Sequence, residues 1–138
     1  MDHTNHTDHV IELAAFEAVR RAVGAYAQAL DAGRTDDLAE LFHPDGIVDI
    51  KGQGVFQGRE AIKQAFAAFA PTLPQLHVTA NTTVTACTAD TASATSDLLF
   101  LQRTDTGWTP LLVGGYQDEL SRDAEGVWRF TKRVATFR

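Results

Sequence analysis

The sequence predicts an α+β domain whose curved antiparallel sheet wraps, as an open cone, around helices near the N-terminus. Three observations carry that prediction. Helical spacing of apolar residues is confined to the chain before Pro71. Beyond Pro74 it gives way to four β-like runs, about Leu76 to Cys87, Thr91 to Arg103, Pro110 to Arg122 and Val127 to Phe137, joined by short polar turns. The length, 138 residues and 15.0 kDa, suffices for one core and is too small for two. Helices first and strands afterwards argue against alternating parallel α/β units. Runs of roughly ten residues exceed the usual strand length of about 5–6, which suits a sheet that curves over the helices.

Residues 1–9 are polar, with His3, His6 and His9 but no recurring apolar position, and read as a flexible tail ahead of a domain over 10–138. Evenly spaced imidazoles could bind a metal, but with no apolar position to order the segment a solvated tail is the reading. From Asp8, placed as an N-cap, Leu13, Phe16, Val19, Val23, Tyr26, Ala27 and Leu30 recur at helical spacing up to Gly33, which suits a left-handed C-cap. Thr35 with Asp36 and Asp37 caps a second, short helix striped by Leu38, Leu41 and Phe42, and Pro44 blocks its continuation. Asp45-Gly46 is a turn, and Ile47 to Ile50 is a short strand leading into the Gly-rich stretch Gly52 to Gly58, a hairpin or bulged strand. A third helix starts at Gly58-Arg59-Glu60, turns Ile62, Phe66 and Phe69 to one side, and stops before Pro71.

Apolar residues make up 44% and charged residues 22%, the balance of a chain that folds. A net charge of −6 and a pI near 5.2 argue against nucleic acid or an anionic membrane as partner, since both need clustered Lys and Arg. No apolar run approaches the ~20 residues of a spanning helix. The single cysteine, Cys87, rules out an internal disulfide, and no signal-peptide pattern is visible, so the cytoplasm is the expected compartment.

The stretch Gly52-Gln53-Gly54-Val55-Phe56-Gln57-Gly58 is one residue too long for a dinucleotide fingerprint, and no second parallel strand follows the helix. No cysteine pair, His-Glu-x-x-His or carboxylate loop has metal-ligand spacing, and no serine sits in a nucleophile elbow. Acid–base chemistry without metal or cofactor remains. His77 opens a strand on which Leu76, Val78 and Ala80 alternate with His77, Thr79 and Asn81, so His77 and Asn81 share a face. That polarity contrast fits a sheet with one side in water, or a cone with a polar ligand cavity on one side and an apolar subunit interface on the other; periodicity does not choose. His77 is either a satisfied structural histidine or a base poised near neutral pH.

Asp31 stands where the first helix ends, its charge against the negative end of the macrodipole, either as a capping or Arg34-paired residue or as a site acid. Tyr26 and Asp31 flank the Phe16, Val23 and Leu30 stripe and can border one pocket. Asp97 interrupts an apolar and small-residue strand, Ala92 through Leu101; it lies at a sheet edge or, the favoured reading, is desolvated with its charged form disfavoured. Asp49 and Asp118 are strand carboxylates near loops that solvent can satisfy.

In this order of elements, Tyr26-x-x-x-Leu30-Asp31-Ala32-Gly33, Leu41-Phe42-His43-Pro44-Asp45, Gly58-Arg59-Glu60-Ala61-Ile62, His77-x-x-x-Asn81, Gly115-Tyr116-x-Asp118 and Gly126-Val127-Trp128-Arg129-Phe130 resemble the SnoaL-like domains of the nuclear transport factor 2-like superfamily, over about Phe16 to Phe137. That superfamily holds isomerases, dehydratases, cyclases and non-catalytic binding domains, so the resemblance implies a fold before a reaction. Tyr26, Asp31, His77 and Asp97 together resemble the site of bile-acid 7α-dehydratase and, in part, that of scytalone dehydratase. This implies that His77 removes a proton next to a carbonyl, Asp31 partners it, Tyr26 hydrogen-bonds the substrate oxygen and Asp97 adds a second polar group. Asn81 and the late Arg133 are implied substrate contacts. A second likeness, to ketosteroid isomerase, places Tyr26, Asp49 and Asp118 near a tyrosine and two aspartates that handle an enolate.

The expected function is therefore a cofactor-independent lyase or isomerase of dehydratase type, acting on a hydrophobic polyketide, steroid or aromatic compound. A ketosteroid-isomerase-like or cyclase activity in the same pocket is one alternative, and a non-catalytic ligand-binding or dimerisation module is another. Whether Asp31 and His77 face each other separates enzyme from module. A homodimer through the outer sheet face is expected.

Overall fold

Gly33, at φ 70°, ends the first helix, α1 (His3–Ala32). Its N–H donates to the Leu30 carbonyl at 3.2 Å and that of Arg34 to Ala29 at 2.9 Å, so a paired cap satisfies the helix's last carbonyls. The computed structural model describes residues 3–138, with side chains from residue 6 onward. Helical backbone begins at His3, five residues before the cap expected at Asp8, and runs through the segment read as a tail. Adding turns to a helix already anchored downstream is far easier than starting one. His6 and His9 are exposed on these turns; residues 1–2 and the His3 side chain lie outside the described residues.

The chain continues through α2 (Thr35–Glu40), β1 (Phe42–Ile50), β2 (Gly54–Gln57), α3 (Arg59–Ala68), β3 (Gln75–Cys87), β4 (Thr91–Thr104), β5 (Gly107–Arg122) and β6 (Trp128–Phe137). Thr35 is the first residue of α2 rather than its cap: Arg34 holds the cap position and no side chain caps the helix, which has Asp36 and Asp37 at its positive end instead. Phe42 belongs to β1, which starts earlier than Ile47. Pro44 is tolerated there because a register shift between Phe42 and Ile47 takes it out of the ladder.

One six-stranded sheet forms in the order β2-β1-β6-β5-β4-β3. The four-strand meander pairs consecutively and antiparallel, as the long runs imply. The β1–β6 pairing is parallel, so the sheet is mixed where the sequence suggested an antiparallel one. It stays open, with β2 and β3 at its edges, and extra residues in β3 and β6 add bends.

Helix α1 lies in the concavity, burying Ala15, Val19, Ala22, Val23 and Tyr26. Small residues on β4, Ala92, Ala94 and Ser96, let it approach closely. Leu13 and Phe16, expected in the stripe, remain exposed beside a surface groove against Val84 and Cys87. Inside the sheet, a Cβ on Gly114 would collide with the Thr136 carbonyl oxygen, so only glycine permits this approach of β5 to β6. Because α1 stops at Ala32, the sheet beyond Leu98 has no helix over it, and a pocket remains there, closed on its far side by α3.

Candidate active site

Asp31 sits on the last turn of α1, and Gln75 and His77 occupy alternate positions at the start of β3. The spacing of two turns both strand residues to the same carboxylate. Nδ1 of His77 lies 2.6 Å from Asp31 Oδ1, the main-chain N–H of His77 donates to Oδ2 at 2.8 Å, and Gln75 Nε2 donates to Oδ1 at 3.2 Å. An ionised carboxylate only accepts, so the neutral imidazole carries its proton on Nδ1 and leaves Nε2 as the acceptor. Nε2 has no hydrogen-bond partner among the described residues. The side chains of His77 and Asp31 are 15% and 13% exposed, and the Phe100 ring lies beside the imidazole, centroids 4.6 Å apart.

His77 lines a cavity of about 180 Å³. Leu30, Ile50, Phe66, Leu98, Phe100 and Phe137 supply an apolar wall, and Tyr26, Tyr116, Gln53 and Gln75 are the other polar-tipped side chains. Since an apolar cavity of roughly 150 Å³ holds one benzene, this space takes one ring, and its open side leaves room for the rest of a larger compound. The arrangement offers one base and two phenols on an otherwise apolar wall. Among the described residues no three His, Cys, Asp or Glu side chains converge as metal ligands.

Tyr26 stands where the sequence places it, buried beside the pocket with Phe66 and Tyr116 at centroid distances of 5.9 and 6.0 Å. Burial holds its phenol well above the ordinary value near 10, so it is a proton donor throughout the neutral range. His77 and Tyr26 thus line one cavity, with Asp31 held against Nδ1 of His77. Arg34 pairs with Asp37 at 2.8 Å and leaves Asp31 to the histidine.

The other candidates lie elsewhere. Asp97 is on the outer face, 44% exposed, accepting from Asn81 Nδ2 at 2.7 Å and Arg138 at 2.9 Å. The Asn81 hydrogen bond first, and Arg138 second, hold its carboxyl below the ordinary range, the reverse of the desolvated acid expected. Asn81 does not share a face with His77: at φ 55° it forms part of a bulge between Ala80 and Thr83 that turns it outward. Asp49 also faces outward, opposite in parity to Val48 and Ile50, and pairs with Lys51 at 2.7 Å. Asp118 and Arg133 face inward but beneath the pocket, 1% and 0% exposed, with Arg133 Nε 3.0 Å from Asp118 Oδ1. Solvent does not reach Asp118; burial raises its carboxyl above the ordinary range, opposed by the arginine. Arg133 is not a lining residue and touches Tyr26 and Tyr116 instead.

Two further residues beside His77, Gln75 and Tyr116, are not singled out as site residues by the sequence. Gln75 carries the same alternation signal as His77, two residues apart on one strand. Tyr116 stood in a motif without a role; its even-numbered position with Leu120 and the alternation of β5 mark it as inward-facing.

The sequence pattern of the SnoaL-like domain family matches residues 12–134. Comparison with curated proteins returned no match. Among solved structures, a nuclear transport factor 2-like protein with a cystatin-like fold from Novosphingobium aromaticivorans is similar at TM-score 0.85 and 24% identity, covering 99% of this chain and 90% of its own. A candidate scytalone dehydratase from the same organism is similar at TM-score 0.81 and 23% identity, over 94% of this chain and 88% of its own. The structure of LinA is similar at TM-score 0.81 and 25% identity, over 94% and 90%. With helices inside an open curved sheet, and with the family pattern spanning nearly the whole chain, the protein belongs to the SnoaL-like domain family of the nuclear transport factor 2-like fold.

Proposed function

We propose that the protein is a cofactor-independent acid–base lyase or isomerase, of dehydratase type, that removes a proton next to a carbonyl of a hydrophobic polyketide, steroid or aromatic compound. The observation that carries this is the 2.6 Å contact between Asp31 Oδ1 and His77 Nδ1 at the wall of an apolar cavity. Nε2 takes the carbon-bound proton, the C–H electron pair becomes the C=C bond, and the carbonyl π pair moves onto the oxygen to give an enolate. Asp31 stabilises the imidazolium that results. When a hydroxyl stands β to the carbonyl, the enolate collapses, the C–O bond breaks, and the hydroxyl leaves as water with the proton returned from Nε2. Tyr26 donates to the enolate oxygen. A candidate scytalone dehydratase among the structural neighbours accords with dehydration, although at 23% identity that likeness reaches only the fold. Asp49 and Asp118 lie outside the cavity lining, which weighs against an isomerase that uses them.

The test is solvent-deuterium incorporation next to the carbonyl in a panel of cyclic ketones and β-hydroxyketones in D₂O, since it detects proton abstraction whatever the final product. Incorporation catalysed by the protein and lost in His77→Ala supports the reading. Tight binding of such compounds without incorporation would assign a ligand-binding module instead. A homodimer through the outer sheet face belongs to the same proposal, supported by Leu76, Val78, Leu111 and Val113, each 44–47% exposed. Sedimentation velocity showing a monomer that Val78→Lys leaves unchanged would contradict it.

A further inference from the structure

The chain has two tyrosines, Tyr26 and Tyr116, and both line the cavity beside His77. Their ring centroids are 6.0 Å apart with planes at 75°. One guanidinium lies against both: Cζ of Arg133 is 3.4 Å from the Tyr116 centroid and 4.2 Å from that of Tyr26. Neither hydroxyl has a hydrogen-bond partner among the described residues. We infer that Tyr26 and Tyr116 form a two-donor site for an anionic oxygen of the substrate, and that Arg133 is the positioning residue that strengthens both donors from behind their rings. The inference rests on the proton-abstraction reading and names the groups that receive the charge it creates.

A cation against the face of a phenol draws electron density from the ring and its oxygen, which makes the O–H a stronger donor. The gain is largest when the acceptor carries charge, so it favours the enolate over the ground-state carbonyl. Arginine suits this because it stays charged in an apolar setting and stacks flat. Burial keeps both phenols above their ordinary range despite Arg133, so each retains a proton to donate near neutral pH. The pairing with Asp118 is poorly suited to a purely structural role. Arg133 Nε lies 3.0 Å from Oδ1 but off the N–H direction, so both carboxylate oxygens and all three guanidinium nitrogens lack an aligned hydrogen bond. A buried pair of that kind is a weak source of stability compared with apolar side chains of the same volume. The guanidinium also lies against both phenol rings, which the contact with Asp118 does not require.

The probe is 4-nitrophenol, whose neutral and anionic forms differ in visible absorption. The intact protein is expected to bind the anion in preference to the neutral form. Tyr116→Phe should reduce that preference several-fold, and Asp118→Leu/Arg133→Met, which replaces the charge pair by apolar groups, should reduce it at least tenfold. Tyrosine labelled at Cζ with ¹³C gives two resonances in this chain, and both should shift in the charge-pair variant. Unchanged anion preference in a folded charge-pair variant, or in Tyr116→Phe, would overturn the inference; so would a wild-type protein that binds only the neutral form. If the charge-pair variant does not fold, Tyr116→Phe and Tyr26→Phe decide the question by the same reading. The probe is not turned over, so the donor pair and the proton-abstraction reading fail separately: anion preference can persist where no ketone exchanges deuterium, and exchange can persist where the preference is absent.

Discussion

Asp31 grips His77 at two points, accepting from Nδ1 of the ring through Oδ1 at 2.6 Å and from the main-chain N–H through Oδ2 at 2.8 Å. Ring and backbone are thereby fixed together, and the end of α1 is pinned to the edge strand β3. The same contact sets the tautomer. In ¹⁵N NMR of labelled protein, with His77→Ala identifying the resonances, neutral His77 is expected to be protonated at Nδ1 and bare at Nε2. A spectrum with the proton on Nε2 would contradict this placement.

The Asp118–Arg133 pair makes a stability prediction independent of activity. Its side chains are 1% and 0% exposed, so removing either charge strands the other in the core. Arg133→Met or Asp118→Leu alone should each lower unfolding free energy by about 3–5 kcal/mol, and the two together should cost less than the worse single change. Urea denaturation of the four proteins checks it; additive losses would show that the charges are not coupled.

Asp123 makes the protein acid-sensitive at one turn. Its Oδ1 accepts the N–H groups of Glu125 and Val127, both at 2.9 Å, and its Oδ2 meets Arg129 Nε at 3.1 Å. These contacts, that of Val127 foremost, hold the carboxyl below the ordinary range. A carboxyl with a lowered folded pKa stabilises the fold above its unfolded value of roughly 3.9 and loses that contribution as pH falls through the folded value. The difference in Tm between wild type and Asp123→Asn should therefore be largest near neutral pH and shrink below about pH 4. A difference that stays constant across that range would contradict the assignment.

The meander was readable in the sequence because short polar turns and alternation act locally: β3 and β4 each begin and end within a residue of their expected limits. Asp31 and His77 were readable as chemistry, one by its helix-terminal position and the other by its strand parity. What stayed hidden depends on register. The bulge that turns Asn81 outward needs a single residue at φ 55°, which no alternation pattern reveals, and with it went the expectation for Asp97. Asp118 shares the inward parity of Tyr116 and Leu120, but its partner is set by the pairing of β5 with β6, which brings Arg133 opposite it and which β5 alone does not reveal. The parallel β1–β6 pairing joins segments more than eighty residues apart, beyond the reach of local signals.

The central claim, that Asp31 and His77 act as one base, is tested most directly by the rate of solvent-deuterium incorporation next to a ketone carbonyl in wild type, His77→Ala, Asp31→Asn and the double variant. Each single change should slow incorporation by roughly 10²-fold or more, and the double variant should be little slower than the worse single one. Thermal unfolding of all four should be similar, since the pair lies at the pocket wall and leaves the buried core of α1 intact. Equal rates in wild type and His77→Ala, or losses that multiply in the double variant, would contradict the account.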